Sequence, residues 1–202
     1  MVGRELLKRG ANVLASAVVL PSVVSFHIRA RWLGPDRALE GSTQALAWLP
    51  GLIGQYLRRA FLRRTIAHCA WSATIEYGTL FSQVATRIEH QAYIGPRCHI
   101  GWAHIGANAL IAAGVHIPSG SQTHGFASME IPIRDQPGQR QCVAIGDGAW
   151  IGSAAVVLAD VGADTIVGAG AVVTRPLPAL SIAGGVPAKV IRARQEQPST
   201  AA

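Results

Sequence analysis

Charge is scarce in this chain of 202 residues: Asp, Glu, Lys and Arg together make up 14%, while 50% of the residues are hydrophobic. That balance leaves room for a substantial core. Cysteine is scarce too. Cys69, Cys98 and Cys142 are odd in number and share no CxxC spacing, which argues against a disulfide framework or a zinc site and suits reduced thiols in a cytosolic setting. The histidines show no HxxxH or HxH spacing with a carboxylate partner, so no catalytic metal is expected. A membrane-spanning run is missing as well. Ala11 to Phe26 is mostly apolar but covers only 16 residues and contains Pro21, short of the roughly 20 that a spanning helix needs. No small-residue cleavage site follows it convincingly, which weakens a signal peptide. The segment reads as interfacial or re-entrant.

The charge that is present is unevenly placed. The whole excess of +7 lies within residues 1–70, and residues 71–202 are balanced. Such asymmetry points to an anionic surface. Trp32-Leu33-Gly34-Pro35 breaks the first apolar segment, a second runs from Ala45 to Leu52, and Gln55 to Arg64 reads as a basic amphipathic helix. Arginine on one face with Tyr, Phe and Leu on the other suits a helix lying in a headgroup layer. The competing reading is a helical collar packed on the rest of the protein, its arginines merely solvated. Nucleic acid is disfavoured as a partner, because neither a recognition helix nor a stacking platform is visible. Residues 1–72 are therefore expected to form a basic, apolar helical segment at a membrane interface.

Beyond it, isoleucine or valine returns every six residues, usually with glycine directly behind. The first run is Ile88, Ile94, Ile100, Ile105, Ile111 and Ile117; the second is Ile145, Ile151, Val157, Val161, Val167 and Val173. A period of six fits neither a helix nor an ordinary strand. It suits a solenoid of three short strands per coil, with each aliphatic residue stacked inward on its equivalents. Glycine beside it is expected to permit the corner conformation. Two slips, Ile100 to Ile105 and Val157 to Val161, fall where corners can absorb them. The array is expected from about residue 73, where Ile75 and Phe81 are already in phase, to about Val173. Between residues 119 and 143 a polar excursion interrupts it, and a loop of that length inside a regular array is usually functional. The domain is expected to reach residue 194 through a basic stub, with a disordered tail at 195–202.

Three stretches carry a resemblance: His124-Gly125-Phe126 followed by Ile131-Pro132-Ile133-Arg134-Asp135-Gln136; Ile145-Gly146-Asp147-Gly148-Ala149-Trp150-Ile151-Gly152; and Gly168 to Thr174 leading to Ser181 through Ile191. Over about residues 75–194 the chain resembles the bacterial hexapeptide-repeat acyltransferases, most closely those that O-acetylate surface polysaccharides. The resemblance implies a mainly β fold, a left-handed parallel β-helix, and a homotrimer with active sites between subunits. It implies acetyl-CoA or another acyl-CoA as donor, and a hydroxyl of a sugar or polysaccharide precursor as acceptor. With the N-terminal segment, the expected place is cytoplasmic, peripheral to the inner membrane.

Acyl transfer to a hydroxyl needs a base, and an imidazole suits that task. His124 lies where the family places its catalytic histidine. Relatives often carry a second histidine two residues earlier, where this chain has Gln122. Gly152, Ser153, Ala154, Gly170 and Ala171 offer a slot without bulk for a pantetheine arm, although any hexad array needs small corner residues. Lys189 and Arg192 could pair with the donor's phosphates or could be a solvated basic tail. Trp150, outward by phase, is read as a wall of the acceptor or pantetheine groove or as subunit packing; His116 and Phe126 are further substrate-side candidates. A backbone N–H near Gly152 and Ser153 is the candidate oxyanion donor. Two other readings stay open: a soluble acetyltransferase of small molecules, and a non-catalytic β-helix with interfacial metal at His99, His104 and His116.

Overall fold

The computed structural model describes residues 2–195, with side chains from Arg9 onward. Apart from Gln195, the expected disordered tail lies outside the described residues. Four helices come first: α1 (Val2–Val18), α2 (Leu20–Leu33), α3 (Pro35–Ala47) and α4 (Gly51–Thr65). Pro35 opens α3, where a missing N–H costs nothing, and Gly34 at φ 84° ends α2.

The solenoid follows. Its first coil is β1 (His68–Cys69), β2 (Thr74–Ile75) and β3 (Leu80–Phe81), and its second is β4 (Arg87–Ile88), β5 (Tyr93–Ile94) and β6 (His99–Ile100). The third is β7 (Ala103–Ile105), β8 (Leu110–Ile111) and β9 (His116–Ile117). After the excursion come β10 (Val143–Ile145), β11 (Trp150–Ile151), β12 (Val156–Val157), β13 (Ile166–Val167) and β14 (Val172–Val173). A hairpin of β15 (Ser181–Gly184) and β16 (Lys189–Ala193) closes the array. Three sheets result. Face 1 stacks β1, β4, β7 and β10; face 2 runs from β2 through β5, β8, β11, β13 and β15 to β16; face 3 stacks β3, β6, β9, β12 and β14. Every pairing between coils is parallel, and only the terminal hairpin is antiparallel.

The aliphatic hexad positions form one buried ladder per face. Face 2, for example, stacks Ile75, Ile94, Ile111, Ile151, Val167 and Ala183, none more than 1% exposed. Two residues before most hexad positions a smaller side chain is also buried, such as Ala92, Ala109, Ala149 and Ala155. Where that residue is threonine, its hydroxyl donates to the next coil: Thr79 to the Gly95 carbonyl and Thr86 to that of Gly101, both at 2.7 Å.

Three expectations change in detail. The array starts at His68 rather than 73, because Cys69 holds the first inward position. It also continues past Val173: Leu177 bridges to Val161 on face 1, and β15 adds to face 2. The expected basic stub, Lys189 to Arg194, is mostly the strand β16. Finally, glycine directly behind the aliphatic residue does not supply the corner conformation. A Cβ on Gly152 would lie 2.5 Å from the Ala169 nitrogen, so its absence lets the next coil approach. The left-handed residue sits three places after the aliphatic one and is often not glycine, as at Gln91, Arg97, Asn108, Ala154, Asp164 and Leu180.

The helices cap the open end of the solenoid. The first coil would otherwise expose a row of unpaired carbonyls. Arg58 Nε donates to the Ile75 carbonyl at 3.0 Å, Arg59 Nη1 to that of Ala73 at 2.9 Å, and Arg63 Nε to that of Cys69 at 3.3 Å. Thr43 Oγ1 of α3 both donates to the Phe81 carbonyl and accepts from the Phe81 N–H. Arg58 and Arg59 are 3% and 8% exposed. The headgroup reading of α4 is corrected accordingly: these two arginines face inward and are the collar. Burial lowers the pKa of Arg58, with Glu76 opposing.

Candidate functional site

The excursion leaves face 3 after β9 and returns to face 1 at β10. Its two limbs are tied together. Gln139 N donates to the Gln122 carbonyl and Gln141 N to the Ser119 carbonyl, at 2.6 and 2.8 Å. A Cβ on Gly138 would strike the Thr123 carbonyl and come within 2.6 Å of the His124 nitrogen; one on Gly125 would strike the Pro137 carbonyl. The tip is closed by Gln136, a polar side chain only 7% exposed. Its Nε2 donates to the carbonyls of Ser128 and Ile131, both at 2.8 Å, and its Oε1 accepts from the Ser128 N–H at 3.0 Å. The motif by itself gives Gln136 no role; an amide set between Pro132 and Pro137 is the sequence signal that points to it.

His124 is exposed on the outgoing limb, and its ring has no hydrogen-bond partner among the described residues. Phe126, two residues on, is 73% exposed. The loop thus holds an imidazole at the surface on a backbone fixed by the return limb.

The small residues gather at another corner, between faces 2 and 3. Gly170 N donates to the Ser153 carbonyl and Ala154 N to the Ala113 carbonyl, at 2.8 and 2.9 Å, so these corners stack coil on coil. Ser153, Ala154 and Gly170 are exposed there. Ala171 is not: at 1% exposure its methyl points into the core and cannot line an outer slot. Gly152 is buried, and its N–H is taken by the Val167 carbonyl at 2.8 Å. That removes Gly152 as an oxyanion donor, whereas the Ser153 N–H has no partner among the described residues.

Lys189 and Arg192 are both exposed on β16, but in different places. Lys189 pairs with Gly184, which continues the corner column of Gly152 and Gly168. Arg192 pairs with Ile182 in the middle of face 2. It lines an open cavity of about 620 Å³ with Asp164, Ile166, Leu180, Ile182 and Arg194. Arg194, not foreseen as a site residue, is anchored there on Asp164, at 2.8 Å to its carbonyl and 3.1 Å to its carboxylate.

The acceptor-side candidates are spread over the prism. Trp150 is 49% exposed on face 2 between Leu110 and Ile166; His116 is outward on face 3, its ring 6.1 Å from that of His99. Burial and the neighbouring His116 lower the pKa of His99, against Glu40. His104 lies apart on face 1, 3.3 Å from Glu89, which also approaches His68 at 3.5 Å. The chain by itself therefore does not bring Trp150, His116 and Phe126 together. Loop and slot flank opposite edges of face 3.

This is the architecture of the hexapeptide-repeat proteins. Residues 142–175 match the family described as hexapeptide repeat of succinyl-transferase. The chain is similar there to the hexapeptide-repeat family, and several acetyltransferases resemble it over part of their length. It is 35% identical to the galactoside O-acetyltransferase of Escherichia coli K12 over 91 residues, 44% of this chain and 42% of that protein. It is also 35% identical to a 2,3,4,5-tetrahydropyridine-2,6-dicarboxylate N-acetyltransferase of Staphylococcus aureus Newman over 99 residues, 48% of this chain and 33% of the relative. A solved maltose O-acetyltransferase from Clostridium difficile 630 shares the fold, with a TM-score of 0.67 at 20% identity, covering 80% of this chain and 89% of that one. Other structures of this fold are complexes with coenzyme A or acetyl-CoA. The chain spans between a quarter and about two fifths of the length of the curated relatives it matches.

Proposed function

We propose that the protein is an acetyltransferase that moves an acetyl group from acetyl-CoA to a hydroxyl of a sugar or glycan precursor. The observation that carries this reading is the single excursion in the array, which holds His124 exposed on a clamped backbone. His124 is the general base: its imidazole takes the hydroxyl proton as the oxygen attacks the thioester carbonyl. The Ser153 N–H is the donor placed to meet the resulting oxyanion. The imidazolium then returns its proton to the departing thiolate sulfur.

The residues suit the donor. Ser153, Ala154 and Gly170 leave a thin track along the corner between faces 2 and 3, and Lys189 stands at its C-terminal end, where a phosphate of the nucleotide would lie. Arg192 is the weaker of the two phosphate candidates, because its cavity is shared with a carboxylate. Since the loop and the track lie on opposite edges of face 3, the reading requires a second copy to bring one protomer's His124 to another's track. The outward column of Tyr93, Leu110 and Trp150 on face 2 is the apolar surface available for that contact. The similarity to an N-acetyltransferase supports an amine acceptor as the second reading.

The test is acceptor-stimulated release of the coenzyme A thiol from acetyl-CoA, over a panel of galactosides, maltose and amino sugars. His124→Ala is expected to lower turnover by about 10²–10⁴-fold, with the melting temperature unchanged because the ring is exposed and unbonded. Equal turnover by the two proteins would remove His124 from the chemistry. Turnover with amines alone would favour the second reading.

A further inference from the structure

The collar leaves an apolar surface uncovered on α1 and α2. On α2 the inner face, Val23 and Phe26, is 7% and 4% exposed, packed with Val19 at 2%. The opposite face is a stripe at helical spacing, Leu20, Val24, Ile28 and Trp32, exposed by 48%, 56%, 57% and 85%. A helix apolar on both faces has a second face to bury. On α1, Val13, Leu14 and Val18 are exposed as well, with Arg9 one turn before Val13 on the same side. An open groove of about 580 Å³ runs between Val24, His27, Ile28, Arg31 and Trp32.

Charge complementarity identifies what covers it. From Arg9 to Leu33 there is no Asp or Glu; Arg29 is bonded to Ala38 and Ser42 of α3, and Arg9 and Arg31 are exposed. A protein partner with an acidic groove would match such a face, but so broad an apolar strip with exposed Trp32 at its end fits the acyl–headgroup boundary of a bilayer. We infer that the outer face of α1 and α2 seats the protein on an anionic lipid surface, lying on the membrane and not crossing it. No single described helix is long and apolar enough to cross, and the two helices meet at a bend of 48°. Their inner residues are also committed to the collar: Arg59 Nη2 donates to Asn12 Oδ1 at 2.7 Å and Arg64 Nη1 to Ser16 Oγ at 3.2 Å. Withdrawing the helices into lipid would break that packing.

The inference is independent of the transfer chemistry, and its assay does not use activity. Full-length protein is sedimented with sucrose-loaded vesicles of phosphatidylcholine alone or with phosphatidylglycerol at roughly one lipid in three. Wild type is expected to bind the anionic vesicles, and less well as salt rises. Val24→Glu with Ile28→Glu is expected to weaken binding by about tenfold or more, and Arg31→Gln by about fivefold. A second exposed apolar corner, Leu52 and Ile53 at 70% and 75%, serves as the control. Leu52→Glu with Ile53→Glu is expected to leave binding intact; loss there, with none in the α2 variant, would overturn the assignment. So would wild type that ignores anionic vesicles, or a larger oligomer that the α2 variant dissociates, since a second copy would then cover the face.

Discussion

Replacing Gln136 with leucine tests whether the excursion is a built platform or a passive insertion. The substitution keeps the volume and removes three hydrogen bonds, leaving the Ser128 and Ile131 carbonyls and the Ser128 N–H without their partner. At a net 0.5–1.5 kcal/mol per bond, the tip loses about 2–4 kcal/mol. The loss is local, because no hexad ladder touches it and coils depend on their nearest neighbours. Amide exchange at Ser128 is therefore expected to accelerate by about 30-fold to several hundred-fold, while the melting temperature moves by no more than about 2 °C. Gly125 lies against Gln136, where an added Cβ would sit 3.2 Å from the Gln136 Cβ, so the disturbance reaches the limb carrying His124. On the proposed chemistry kcat falls and the KM for acetyl-CoA holds. Unchanged exchange at Ser128, or a melting temperature that drops as far as for a core cavity, would refute the argument.

Three further outcomes follow from the core and its titrating groups. Ile111→Ala removes a fully buried rung of face 2 and should cost about 2–5 kcal/mol, read as a fall of roughly 4–20 °C in melting temperature. Because burial and His116 lower the pKa of His99, the folded state takes up its proton less readily than the unfolded chain. Its contribution is whole above the unfolded value near 6.5 and is lost as pH falls below it toward the folded value; urea midpoints between pH 7.5 and 5 should decline less in His99→Gln. Cys69 is buried, with its thiol pushed up to about 12 by desolvation against Arg59 and Arg63, whereas Cys142 is exposed. Iodoacetamide on the native protein should label Cys142 first, as mass spectrometry of the peptides would show, and reach Cys69 only after denaturation.

The coil pattern was legible because one buried position per hexad is aliphatic, and the reading faltered where that chemistry changed. Cys69 at the start and Ala183 at the end hold the same inward position without being Ile, Leu or Val, so both ends were drawn short. The motif singles out His124 as a candidate, but not the clamp beneath it, since a glutamine bonded to backbone leaves no periodic trace. The arginines of α4 misled for a physical reason. Guanidinium is the side chain that can satisfy several carbonyls at a sheet end while remaining charged, and a pattern of charge cannot tell that duty from contact with phosphate. The apolar excess of α1 and α2 is only partly absorbed by the collar, and the rest lies exposed on their outer face.

The placement of the excursion has its own logic. From face 1 to face 2 and from face 2 to face 3, successive inward residues are always six apart, as in Ile88, Ile94 and Ile100 or Val161, Val167 and Val173. After the first, from Cys69 to Ile75, each of these corners contains one left-handed residue three places after the inward one, at φ between 55° and 78°. Six of the ten are not glycine, although left-handed backbone costs such residues roughly 1–2 kcal/mol, so the corner geometry is enforced by the stacking of coils. From face 3 to face 1 the spacing is free: Phe81 to Ile88, Ile100 to Ile105, Val157 to Val161 and Val173 to Leu177 all differ from six. That edge alone lacks the repeated corner, and it is the edge that opens into residues 118–142. An insertion at either strict corner would break a stacked column on both sides. At the free edge it leaves the ladders intact, so a surface imidazole can be mounted there without cost to the core that supports it.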